Sequence, residues 1–137
     1  MKASQLYICL AVMAVFTFGM DGIRAQEEAA VAPPAVLLKT ALDRFQGQEV
    51  EILRLEFAPG WVGTRHFHPG ELFVYVLDGA FIIRLAGEPA QSFDQGSLIR
   101  ELPGQVLSAA NASSTEPVSI LVVHLAGAGE PLLVEVE

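Results

Sequence analysis

The sequence predicts an all-β domain, a sandwich or small barrel, from three observations. Apolar residues alternate with polar ones through much of the chain from residue 50 onward. The apolar runs are short and are closed at regular intervals by Gly, Pro and Asp-Gly. No stretch of useful length carries the apolar period of an amphipathic helix, which argues against an α/β architecture.

In chain order, residues 35–46 (AVLLKTALDRFQ) form the one segment whose composition would suit a helix. We read it as extended, because everything after it is β. Residues 50–57 (VEILRLEF) put Leu53, Leu55 and Phe57 on one face, with Arg54 and Glu56 between them, and Pro59-Gly60 ends the run. Residues 72–77 (LFVYVL) are a continuous apolar run closed by Asp78-Gly79, a strong tight-turn pair. Residues 80–86 (AFIIRLA) alternate Phe81, Ile83 and Leu85 against Arg84. Residues 97–102 (SLIREL) lie between Gln95-Gly96 and Pro103-Gly104. Residues 118–125 (VSILVVHL) and 131–137 (PLLVEVE) complete a set of about seven strands.

The N-terminus reads as an address. Lys2 precedes an almost wholly apolar run from Leu6 to Gly19, and small Ala25 stands at the expected cleavage position. That run is shorter than the ~20 residues of a spanning helix. Residues 1–25 are therefore expected to be a signal peptide, with a mature chain starting at Gln26 and a secreted or periplasmic protein. Residues 26–36 (QEEAAVAPPAV) read as a flexible lead-in, and residues 37–137 as one domain. The single cysteine, Cys9, lies inside the apolar run, so no disulfide is expected in the mature chain. A net charge of −8 argues against nucleic acid or an anionic membrane as partner. No membrane association is expected after cleavage, and self-association into a homodimer stays open.

The chemistry concentrates in residues 65–79, RHFHPGELFVYVLDG. Residues of like parity in a strand share a face, so His66 and His68 point toward one place. If the strand runs on without a bulge, Leu72, Val74 and Val76 join them, while Glu71, Phe73 and Tyr75 take the other face. Two imidazoles beside an apolar wall form a pocket fit for a small molecule or a metal ion. Trp61, just before the pair, could line the barrel mouth and stack on a planar ligand or cap the core. Arg65 reads as outward-facing, with an anion clamp as the alternative. Asn111-Ala-Ser113 fits a glycosylation sequon.

These residues make the chain resemble a small single-domain cupin. Gly60, the pair His66-Phe67-His68, Pro69-Gly70 and residues 75–79 (YVLDG) are similar to the first cupin motif. After a spacer, residues 96–111 (GSLIRELPGQVLSAAN) are similar to the second. The likeness covers about residues 37–134 and implies a double-stranded β-helix, a small jelly-roll barrel with an internal pocket. It also implies a metal held by two histidines and a glutamate of the first motif and a histidine of the second. His66 and His68 match, but the glutamate position is Leu72 and the last histidine position is Leu107. Leucine offers no donor, so a depleted centre follows, with a divalent transition metal held weakly and no other cofactor.

Two residues could restore a third ligand: Glu71, if a bulge at Pro69-Gly70 turned it inward, and His124, if its strand presents it to the interior. The leading expectation is a secreted cupin that binds a small molecule in a pocket lined by Leu72, Val74, Leu107 and Trp61. The rival is a metal-dependent oxygenase or isomerase using His66, His68 and either Glu71 or His124. A third reading is an interaction module whose barrel is filled by Phe67, Phe73 and Phe81.

Overall fold

The structure, a computed structural model, describes residues 32–137. The signal-peptide reading of 1–25, and residues 26–31 of the lead-in, lie outside the described residues. Ten strands follow, all antiparallel where paired: β1 (Ala35–Ala41), β2 (Gln48–Phe57), β3 (His66–Phe67), β4 (Glu71–Asp78), β5 (Ala80–Leu85), β6 (Gln91–Asp94), β7 (Leu98–Glu101), β8 (Leu107–Asn111), β9 (Val118–Gly127) and β10 (Val134–Glu135). They form two five-stranded sheets, ordered β1-β2-β9-β4-β7 and β10-β3-β8-β5-β6. This is the double-stranded β-helix that the family resemblance implied.

The period-2 reading succeeds because each sheet buries one face. Leu53 and Phe57 of β2 meet Val118, Ile120 and Val122 of β9 and Leu72, Val74 and Val76 of β4. Phe81 and Ile83 of β5 and Leu107 and Ala109 of β8 close the core from the second sheet. Each such side chain contributes about 1.5–3 kcal/mol on burial. The chain passes from one sheet to the other at Asp78-Gly79, where Gly79 takes a φ of 79° that favours glycine.

Three strands escaped the sequence reading. β3 has only two residues, β6 (QSFD) has one large apolar side chain, and β8 (LSAAN) is built mainly from small residues. Each is held by its neighbours' backbone rather than by an apolar run of its own. Two boundaries also differ. β1 begins at Ala35, inside the segment read as lead-in, and residues 131–137 supply only the two-residue β10.

Candidate functional site

His66 lies on β3, paired with Leu107 of β8, and His68 lies in the link to β4. Both are buried, and each is anchored through Nδ1. His66 Nδ1 is 2.9 Å from the Thr64 carbonyl, and His68 Nδ1 is 2.6 Å from the Leu132 carbonyl. A carbonyl only accepts, so each Nδ1 must carry the proton. In the neutral rings each Nε2 then offers a lone pair. The two rings stand 4.9 Å apart between centroids and nearly perpendicular, at 83°. Two imidazoles bound to one ion through Nε2 would place their centroids roughly 4.5–5.2 Å apart.

The third member of the cluster is Glu101 of β7. It is 4% exposed, and its Oε2 lies 3.1 Å from His68 Nε2. Although this is ion-pair distance, Glu101 Oε2 has no hydrogen-bond donor among the described residues. With its Nδ1 donating to the Leu132 carbonyl, His68 turns Nε2 toward the Glu101 carboxylate. Two buried acceptors at this spacing require a cation between or beside them, either a shared proton or a metal ion. Two ligands in adjacent positions on an ion with bonds of about 2.1 Å stand roughly 3.0–3.4 Å apart. Both histidines already donate their other nitrogen to a backbone carbonyl, as metal-bound histidines do. Among the described residues no three acidic, histidine or cysteine side chains form a ready-made cage. The donor types and the orphaned oxygen suit an ion.

Glu101 was missed although its signal was present. In the strand at residues 97–102, Ile99 and Glu101 share the inward parity and Arg100 points out. Its nearness to the histidines depends on the pairing of Leu72 with Glu101 across β4 and β7, which no local pattern reveals.

The two residues considered as third ligands take other places. Glu71 is not turned inward. It sits on the outer face of β4, where its carboxylate pairs with the Arg100 guanidinium of β7. His124 of β9 does face the interior, opposite Leu72, and is 3% exposed, but it does not line the cavity. Among the described residues its Nε2 has no hydrogen-bond partner, and it packs against Gly70, where an added Cβ would lie 2.7 Å away. Burial, reinforced by nearby His68, holds its pKa below the ordinary histidine value.

A cavity of about 820 Å³ opens over the cluster. Leu72, Val74, Leu107 and Trp61 all line it, together with His66, His68 and Glu101. Trp61 stacks on Phe57 at 4.0 Å between centroids, and Phe57 in turn lies 5.7 Å from Phe81. Phe81 lines the cavity, whereas Phe67 and Phe73 do not, so the filled-barrel reading fails. Arg65 points outward and donates from Nη1 to the Glu137 carbonyl, leaving the cavity without an arginine clamp. Asn111 is 7% exposed, and its Nδ2, the atom a glycan would need, faces the carbonyls of Phe57, Ala58 and Glu116.

Comparison with known proteins places this geometry. A family described as the cupin domain matches residues 53–124. A search of curated protein sequences finds no match. Among solved structures, a double-stranded β-helix protein from Klebsiella pneumoniae is similar, with a TM-score of 0.60 at 22% identity over 82% of this chain and 88% of that one. The DMSP lyase DddQ from Ruegeria pomeroyi has a TM-score of 0.54 at 21% identity, over 63% of this chain and 42% of that one. Oxalate decarboxylase from Bacillus subtilis has a TM-score of 0.56 at 16% identity, over 66% of this chain and 24% of that one. At these identities the likenesses establish the fold.

Proposed function

Because the chain belongs to the cupin-domain family, we propose that it holds one divalent transition-metal ion through His66, His68 and Glu101 and engages a small molecule in the barrel cavity. The observation that carries this reading is the pair of facing acceptors, His68 Nε2 and Glu101 Oε2, buried 3.1 Å apart. Leu72 and Leu107 stay apolar at the two positions where the motif likeness implied ligands. Glu101, one strand over from Leu72, supplies the carboxylate instead. The centre is relocated rather than depleted.

A bound ion would supply Lewis-acid polarisation of a ligand oxygen. Thr64 and Leu132 fix the two imidazoles through their Nδ1 protons. Leu72, Val74 and Leu107 exclude water from the space beside them. Three protein donors leave coordination positions open, the feature that separates catalytic centres from structural ones. That supports a second reading as an enzyme acting on a small organic molecule, a class to which the lyase and decarboxylase of similar fold belong. We also read the protein as exported, with the mature chain starting at Gln26. A mass for exported material that retained Lys2 would refute the export reading.

The test of the metal centre is calorimetric titration of chelator-stripped protein with nickel or zinc. One equivalent should bind, and both His66→Ala and His68→Ala should lose it. Absence of binding in the wild type, or binding that survives both substitutions, would overturn the proposal.

A further inference from the structure

Among the described residues no lysine or arginine side chain lines the cavity, whereas two carboxylates do: buried Glu101 and exposed Glu135. Glu135 is held at the edge by Thr64, whose hydroxyl donates to Oε1 at 3.0 Å. Arg54, Arg65 and Arg100 each adjoin a cavity-lining residue in sequence but are turned elsewhere, to Ser119, the Glu137 carbonyl and Glu71 respectively. Beside Thr64 and Glu135, the exposed rim carries the apolar residues Pro34, Val62 and Leu133. A carboxylate, phosphate or sulfonate entering the metal-free cavity would lose its water without gaining a lysine or arginine partner, and it would meet the carboxyl groups of Glu101 and Glu135.

The aromatic wall is held in one position. Phe57 stacks on Trp61, and Gly63 packs against Trp61 so closely that an added Cβ would lie 2.7 Å from Cη2 and 3.0 Å from Cζ2. Gly63 has an ordinary backbone conformation, so its lack of a side chain serves this approach. Any larger residue there must push Trp61 aside.

We propose that the cavity selects uncharged, ring-bearing hydrophobic molecules over anionic ones, with Trp61 as the contact surface and Gly63 as the residue that positions it. The proposal rests on the reading of the cavity as the ligand site, and it does not require the metal ion. An ion at the His66-His68-Glu101 centre could take one donor atom of the ligand, while the rest of the ligand would still meet an apolar wall.

Two fluorescent probes with the same aryl body test this. N-phenyl-α-naphthylamine is uncharged, and anilinonaphthalene sulfonate carries an added negative charge. Each is titrated into metal-stripped and nickel-loaded full-length protein, and energy transfer from Trp61, the only tryptophan, reports that the probe is in the cavity. The uncharged probe should bind about tenfold or more tightly than the sulfonate in the metal-stripped form, with transfer from Trp61, and a bound divalent ion, which adds positive charge, should narrow that gap. Gly63→Val should weaken the uncharged probe by about tenfold and reduce the transfer. Equal or tighter binding of the sulfonate by the metal-stripped protein, or binding without transfer, would overturn the proposal. Should Gly63→Val not fold, Trp61→Leu serves in its place: undiminished affinity for the uncharged probe would count against Trp61 as the contact. Nickel that fails to bind while the probe preference holds would overturn the metal centre and leave this inference standing.

Discussion

Replacing Glu101 by glutamine separates the cost of the carboxylate from its use. A glutamine amide can donate to His68 Nε2, which a carboxylate cannot do without a shared proton. Metal-free Glu101→Gln should therefore be as stable as wild type or more so, by up to about 1 kcal/mol in urea unfolding, while losing metal-dependent stabilisation. Asn111 has the opposite character. Its Oδ1 accepts from the Ser113 amide at 2.9 Å, and its Nδ2 reaches 2.8 Å from the Glu116 carbonyl. Asn111→Ala leaves buried groups unpaired and should cost about 2–3 kcal/mol with metal stoichiometry unchanged. His124 sets a pH dependence. Its folded pKa lies below the ordinary histidine value, chiefly through burial and then through His68, with Glu51, Glu130 and Lys39 as weaker neighbours. The unfolded chain thus takes up the proton first, so stability should fall as pH drops through the ordinary histidine range. Urea midpoints measured down to about pH 5 should show a shallower decline in His124→Leu than in wild type. At this scale alternation along residues 66–72 was legible: it put His66, His68 and Leu72 inside and Glu71 outside, although the run is divided between β3, a link and β4 of the other sheet. Glu101 was not legible as a neighbour, because its approach depends on a register between strands.

Strands whose face is buried by large apolar side chains announced themselves, as β2, β4, β5 and β9 did. β3, β6 and β8 did not, since their place is set by partners: β8 lies between β3 and β5, and β6 pairs only with the β5 edge. The link between β3 and β4 shows what local sequence can hide. Pro69-Gly70 was considered as the seat of a bulge that would turn Glu71 inward. Gly70 instead permits close packing, because an added Cβ would lie 2.3 Å from the Leu125 carbonyl and 2.6 Å from the Ala126 Cβ. Those contacts are with backbone and a neighbouring strand, which cannot move away cheaply. Gly70→Ala should cost about 1–3 kcal/mol and disturb His68 and the start of β4 together. Thermal unfolding with and without nickel would measure both effects, and the variant should show a lower melting temperature and a smaller metal-induced shift.

For the whole molecule, the fold was legible because the two motif stretches resemble those of a known family and because the buried positions within β4, β5, β7 and β8 alternate. The double-stranded β-helix brings residues far apart in sequence to one interior, so its pocket could be foreseen in kind and not in its full donor set. The site as read from the sequence had two nitrogens and two leucines where ligands were implied. The folded site has two nitrogens and an oxygen, the oxygen arriving from β7 across the sheet. The central claim is therefore that the working carboxylate is Glu101 and not the motif-adjacent Glu71. Cobalt(II) titration followed by visible absorption, on chelator-stripped wild type, Glu101→Gln and Glu71→Gln, tests it most directly. Wild type and Glu71→Gln should take up one equivalent with the same spectrum and affinity, and Glu101→Gln should bind about a hundredfold more weakly or not at all. Cobalt binding unchanged in Glu101→Gln, or lost in Glu71→Gln, would contradict the account.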